Sequence, residues 1–153
     1  MNETENQGKK YLLILPCSKR KKRASNISAI ELYDGPFYRL VRKNKPENLD
    51  ILILSAKYGL IRCDEKISYY EHKMTAKRAE ELKNDVNIKL EESLKNNHYK
   101  SIFINLGRLY MLALGSKKIF NRYNVYWAEG QIGERLHHLK SWLELIVAEG
   151  KGT

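Results

Sequence analysis

At 153 residues the chain is long enough for one domain with a real core and short for two. It is 42% hydrophobic and 30% charged, which is ordinary for a globular protein, and its longest apolar runs, of about five residues, exclude a membrane-spanning helix. With 28 Lys and Arg against 18 Asp and Glu, the formal charge is +10, which draws the chain towards polyanions with salt-sensitive affinity.

The opening segment, MNETENQGKK, lacks the apolar stretch of a signal peptide and is expected to be a disordered tail over 1–10. A single α/β domain is expected over 11–148, followed by a second short tail over 149–153. Without an export signal, Cys17 and Cys63 read as free thiols of a cytoplasmic protein; two cysteines make neither a disulfide framework nor a CxxC metal site.

In chain order, Tyr11–Leu15 is the first predicted strand, an apolar run ending at Pro16-Cys17-Ser18. Ser28-Ala-Ile-Glu31 has capping-box spacing and predicts a helical turn. Pro36 fits the first position of a further helix with Phe37, Leu40 and Val41 on its inner face. Asp50–Ser55 is the second strand, and Ile61–Met74 is the least regular stretch, a loop placed to lie across a site. From Thr75 to about Lys95, Ala79, Leu82, Val86, Leu90 and Leu94 recur at helical steps. Ser101–Leu106 is the third strand, Arg108–Leu114 a short helix, and Asn124–Trp127 the fourth strand. The last helix starts near Ile132, with Ile132, Leu136, Leu139, Leu143 and Ile146 in one stripe. Near-continuous apolar strands alternating with helices predict a three-layer α/β sandwich, with a mostly parallel sheet of at least four strands and helices on both faces.

Parallel sheets bind ligands outside the carboxyl ends of their strands. The residues placed there are Cys17, Ser18, Lys19 and Lys21 after the first strand, then Ser55, Lys57, Tyr58 and Gly59 after the second. Gly107 and Arg108 follow the third, with Tyr110 one turn later; Glu129, Gly130, Gln131 and Gly133 follow the fourth. Hydroxyl and ammonium groups together suit an anionic or strongly polar ligand. Lys19, Lys21 and Arg108 are expected to hold phosphate, Ser18 and Ser55 to orient the ligand, and Tyr58 or Tyr70 to stack on a base. Cys17 is a candidate nucleophile in a lysine-rich setting, and Glu129 the candidate acid or base, with Glu71 second. Gly130-Gln-Ile-Gly133 lacks dinucleotide-fingerprint spacing, and adjacent His137 and His138 face different directions, so no metal or cofactor is implied.

These segments resemble a family of small α/β domains sharing a PCSxxK first strand end, an LYxGxxxR segment and an LSAKYGL second strand end. Here they are Pro16–Lys21, Leu32–Arg39 and Leu54–Leu60, with a later GxIGxRLxxLKxWL segment over Gly130–Leu143. The family is distantly similar to the DNA-binding peroxide-stress protein YaaA, and its first motif to the PCSxxKPY motif of archaeosine synthase. That resemblance implies a nucleophilic lysine at Lys21, although Lys22 and Arg23 stand where the motif has proline and tyrosine.

The expectation is an enzyme of nucleic-acid modification or repair that recognises a nucleobase or nucleotide and acts at an N-glycosidic bond or a modified base. The alternative is a non-catalytic DNA- or RNA-binding module that uses the basic strand ends. The expected partner is nucleic acid or a nucleotide and not a membrane, with DNA versus RNA and the oligomeric state left open.

Overall fold

The structure is a computed structural model that describes residues 10–151. Apart from Lys10, the expected N-terminal tail lies outside the described residues, as do 152 and 153 of the C-terminal one. The first half runs β1 (Lys10–Pro16), β2 (Ile27–Ser28), α1 (Ala29–Leu32), α2 (Pro36–Asn44), β3 (Leu49–Ser55), β4 (Gly59–Arg62) and β5 (Lys66–Ile67). The second runs α3 (Ala76–Asn96), β6 (Tyr99–Ile104), α4 (Arg108–Leu114), a 3₁₀ turn (Lys117–Phe120), β7 (Val125–Trp127) and α5 (Ile132–Lys151).

The main sheet has the order β4-β3-β1-β6-β7, parallel throughout except for the edge strand β4. In its central strand Ile14 is in register with Leu52 on one side and Ile104 on the other. Tyr11–Leu15 is at most 1% exposed, which explains the unbroken apolar run: neither face of β1 meets water. Alternate residues serve two layers. Tyr11, Leu13 and Leu15 pack with residues of α1, α2 and α5, while Leu12 and Ile14 pack with those of α3 and α4. The molecule is a three-layer α/β sandwich, and no helix among the described residues is long and apolar enough to cross a membrane.

Local chemistry accounts for the helix ends. Thr75 caps α3, its Oγ1 accepting from Arg78 N at 3.0 Å. The stripe Ala79, Leu82, Val86, Leu90 and Leu94 is buried as its spacing requires, each larger aliphatic contributing about 1.5–3 kcal/mol. Ser28 stands at the N-cap of α1 but its side chain makes no cap bond. The turn that follows β4 supplies the acceptors instead: Ala29 N donates to Glu65 O (2.8 Å) and Ile30 N to Cys63 O (2.9 Å).

Helix α5 and the stretch after β3 depart from the sequence reading. Ile132 is 59% exposed, and α5 seats on the sheet through Leu139, Trp142, Leu143 and Ile146, with Trp142 Nε1 donating to Ser101 Oγ at 3.2 Å. The helix also continues to Lys151, beyond the expected domain end at 148. The stretch after Gly59 is a strand, not part of a loop. Ser55 pairs with Gly59 and Leu52 with Arg62, so LSAKYGL is the corner of a β3–β4 hairpin. Gly59, the first residue of β4, has φ +77°, a left-handed conformation that glycine adopts without a Cβ clash.

Candidate ligand-binding site at the carboxyl edge of the sheet

The β1–β3 crossover packs α1 and α2 on one face, and the β4–β6 crossover packs α3 on the other. The order in which strands are added therefore reverses at β1, and the carboxyl ends of the parallel pair β1 and β6 flank a topological switch point, where open α/β sheets bind ligands. A cleft of about 850 Å³ opens there. Cys17, Ser18, Lys19 and Lys21 line it from the exit of β1, and Leu109 and Tyr110 from α4. The irregular segment between β5 and α3 adds Tyr69, Glu71, His72, Lys73 and Met74 to the lining.

Cys17 continues the ladder past β1, its N–H donating to Leu54 O at 2.9 Å. Its Sγ accepts from Ala56 N at 3.4 Å and lies 3.1 Å from Tyr110 Oη. Burial first, and then the Cys17 thiol, push the Tyr110 phenol well above its ordinary range, so it stays protonated and shares a hydrogen bond with the sulfur. The thiol is thereby fixed at the cleft surface.

The exit of β1 is also held from outside. Lys21 bridges Tyr33, with Lys22 N donating to Leu32 O (2.8 Å) and Asp34 N to Arg20 O (2.9 Å). That extended pairing sorts five cations by parity. Arg20 and Lys22 reach Asp34 and Glu31, at 3.8 and 3.6 Å. Lys19 and Lys21 line the cleft, and Arg23 lays its guanidinium over the Tyr69 ring, 4.6 Å from the centroid. Gly35 allows the close approach of this loop to α2, since a Cβ there would meet Ser18 Cβ at 3.0 Å. Tyr38 Oη donates to Pro16 O at 2.5 Å. The LYxGxxxR segment therefore braces the PCSxxK loop.

Asp34 anchors that brace. Arg39 and Arg42 hydrogen-bond its carboxylate and hold its pKa at about 2, against an ordinary 3.8. A depressed carboxylate contributes stability above the unfolded-state value and loses it as pH falls through the folded-state one. The difference in melting temperature between the native chain and Asp34→Asn is therefore expected in full above about pH 5 and to shrink between 3.8 and about 2. A difference independent of pH contradicts the clamp.

The remaining residues predicted for the site are distributed as follows. Ser55 is fully buried; its Oγ accepts from Lys57 N (3.2 Å) and Tyr58 N (3.0 Å) and bonds Tyr70 Oη at 2.9 Å. Tyr70 Oη also lies 2.7 Å from Tyr33 Oη. The buried Tyr70 ring is a seat for cations, with Lys21 Nζ 4.7 Å and Lys57 Nζ 5.8 Å from its centroid. Lys57, Tyr58 and Gly59 belong to the hairpin corner and do not line the cleft. Gly107 and Arg108 open α4 next to the lining residues Leu109 and Tyr110.

Glu129 and Gly130 are exposed beyond β7, outside the lining, with Gly130 O accepting from Arg135 Nε at 2.8 Å. The structure thus brings Cys17, Ser18, Lys19 and Lys21 together and leaves Glu129 apart, whereas Glu71 is at the cleft and accepts from Tyr69 Oη at 2.7 Å. Lys73 and Met74 were not singled out in the sequence, nor was Asn105, a buried polar residue closing an apolar run. Among the described residues no group of three His, Cys, Asp or Glu side chains is placed to hold a metal.

Fold and cleft define a three-layer α/β domain with a lysine-bearing, partly apolar cleft at its switch point. The chain belongs to a family of unknown function, DUF6884, which matches residues 12–141. Its fold is shared with the crystal structure of AF0587, a protein of unknown function, at 13% identity and a TM-score of 0.56. That match covers 94% of this chain and 50% of AF0587, so this chain spans half the length of that relative. No curated protein matches the chain.

Proposed function

We propose that the cleft recognises a nucleobase or nucleotide and that the chain acts on it in nucleic-acid modification or repair. The observation that carries this reading is the lining itself: lysines and aromatic rings around a half-buried thiol, in a space of about 850 Å³. That volume lies within the range of small-ligand sites, and mixed cationic and aromatic walls suit a phosphate joined to a planar base. Lys19 and Lys21 hold the phosphate, and Tyr69 and Tyr110 offer ring faces to the base. Cys17 is the nucleophile, and Lys21, through the PCSxxKPY likeness, is the other group suited to covalent chemistry. Glu71 takes the acid–base role first assigned to Glu129, because it shares the cleft with Cys17. The reaction is at the base, either at its N-glycosidic bond or on a modified ring.

A second reading rests on Lys19 and Lys21, which have no carboxylate partner among the described residues: a non-catalytic nucleic-acid-binding module in which the charges grip phosphates. A thermal-shift screen against nucleobases, nucleosides, nucleotides and oligonucleotides at low and high salt separates the two. Stabilisation by one monomer that survives high salt is expected, reaching about 2.7 kcal/mol at a hundredfold excess over Kd. Stabilisation by oligonucleotides alone, lost in salt, supports the second reading and overturns the first.

A further inference from the structure

Resting on the nucleotide reading above, we infer that the nucleotide in the cleft belongs to a single strand of nucleic acid, whose adjoining phosphate is held by Arg23 outside the cleft. The parity of the loop carries this. Arg20 and Lys22 are spent on Asp34 and Glu31, but Lys19, Lys21 and Arg23 have no carboxylate partner among the described residues. Lys19 and Lys21 suffice for a free nucleotide's phosphate. Arg23 adds a further cation just beyond them, outside the lining, with its guanidinium plane set on Tyr69, a residue that does line the cleft. Tyr69 is itself fixed through Glu71, so the guanidinium is presented in a defined place. A row of cations running out of a one-nucleotide pocket follows a phosphodiester backbone. Cys17, half-buried where β1 ends, is reached only by a base taken out of its stack, which favours an unpaired strand over a duplex.

The test is fluorescence anisotropy with labelled single-stranded DNA and RNA of about twelve nucleotides, the same sequences as duplexes, and competition by nucleoside monophosphates. The native chain is expected to bind one of the single strands about tenfold more tightly than the monophosphate, because a charge-assisted contact is added. Arg23→Ala is expected to remove that gain and lower the salt slope of strand binding by about 0.7, one phosphate contact, with monophosphate affinity unchanged. Arg23→Lys retains the slope. Equal affinity for strand and monophosphate overturns the inference and leaves the pocket reading standing, as does an Arg23→Ala chain with unchanged slope. Equal or tighter binding of duplex also overturns it. Strand binding without monophosphate binding removes the pocket reading and the inference that rests on it, as does binding of neither.

Discussion

Lys21→Ala is expected to weaken nucleotide binding about tenfold to a hundredfold while leaving the melting temperature nearly unchanged. The ammonium lies 4.7 Å over the Tyr70 ring and makes a long hydrogen bond of 3.4 Å to Lys19 O, with no carboxylate within ion-pair distance among the described residues. An ammonium held this way is available to an anion, and deleting it removes one charge-assisted hydrogen bond of about 1.5–3 kcal/mol. Its own contribution to folding is small, because a half-exposed lysine over a ring face gives up little on truncation. Lys57→Ala is the control. Its ammonium faces the same ring from 5.8 Å but lies outside the cleft lining, so affinity is expected to stay within about twofold. Titration calorimetry of both variants checks the pair. Loss on Lys57→Ala with none on Lys21→Ala would move the ligand to the hairpin corner.

Tyr70→Phe is expected to cost about 1–3 kcal/mol of stability and to leave binding intact. Its hydroxyl bonds both Tyr33 and Ser55, and these residues are 0% exposed, so the deletion removes a bridge where water does not enter. Burial is the largest cause raising both tyrosine phenols well above their ordinary range, which keeps the bridge a neutral hydrogen-bonded chain. The ring survives the substitution and still seats Lys21. Melting temperature is therefore expected to fall on the order of 3–9 °C with affinity retained. Unchanged stability with lost affinity would mean that the hydroxyl faces the ligand.

How legible each part was depends on the range of the interaction that makes it. Strands β1, β3 and β6 could be read because both faces of each are covered, leaving near-continuous apolar runs. Helix α3 could be read because one face alone meets the core, giving five residues at helical spacing. Strand β4 could not: it is a short edge strand whose pairing begins at Gly59, and LSAKYGL looks like any polar strand end. Ser55 shows the same limit. A serine after an apolar run is as suited to a turn as to a ligand, and its assignment rests on Tyr70, fifteen residues away. The separation of Arg20 and Lys22 from their odd-numbered neighbours is set by pairing with the segment around Tyr33. In the sequence it is one basic run. Glu129 lies at the end of β7 and the thiol at the end of β1, with β6 between them, so sharing an edge of the sheet did not put them in one site.

The most direct test of a ligand site at the switch point uses the two thiols as internal reporters. Cys17 lies half-buried at the cleft, whereas Cys63 is buried away from it, its thiol pushed up by burial and partly lowered by Lys45 at 3.9 Å. Iodoacetamide labelling followed by mass spectrometry gives the rate at each. Cys17 is expected to react faster than Cys63, and a saturating nucleotide to slow Cys17 alone. A nucleotide that stabilises the chain yet leaves the Cys17 rate unchanged would place its site elsewhere and contradict the assignment.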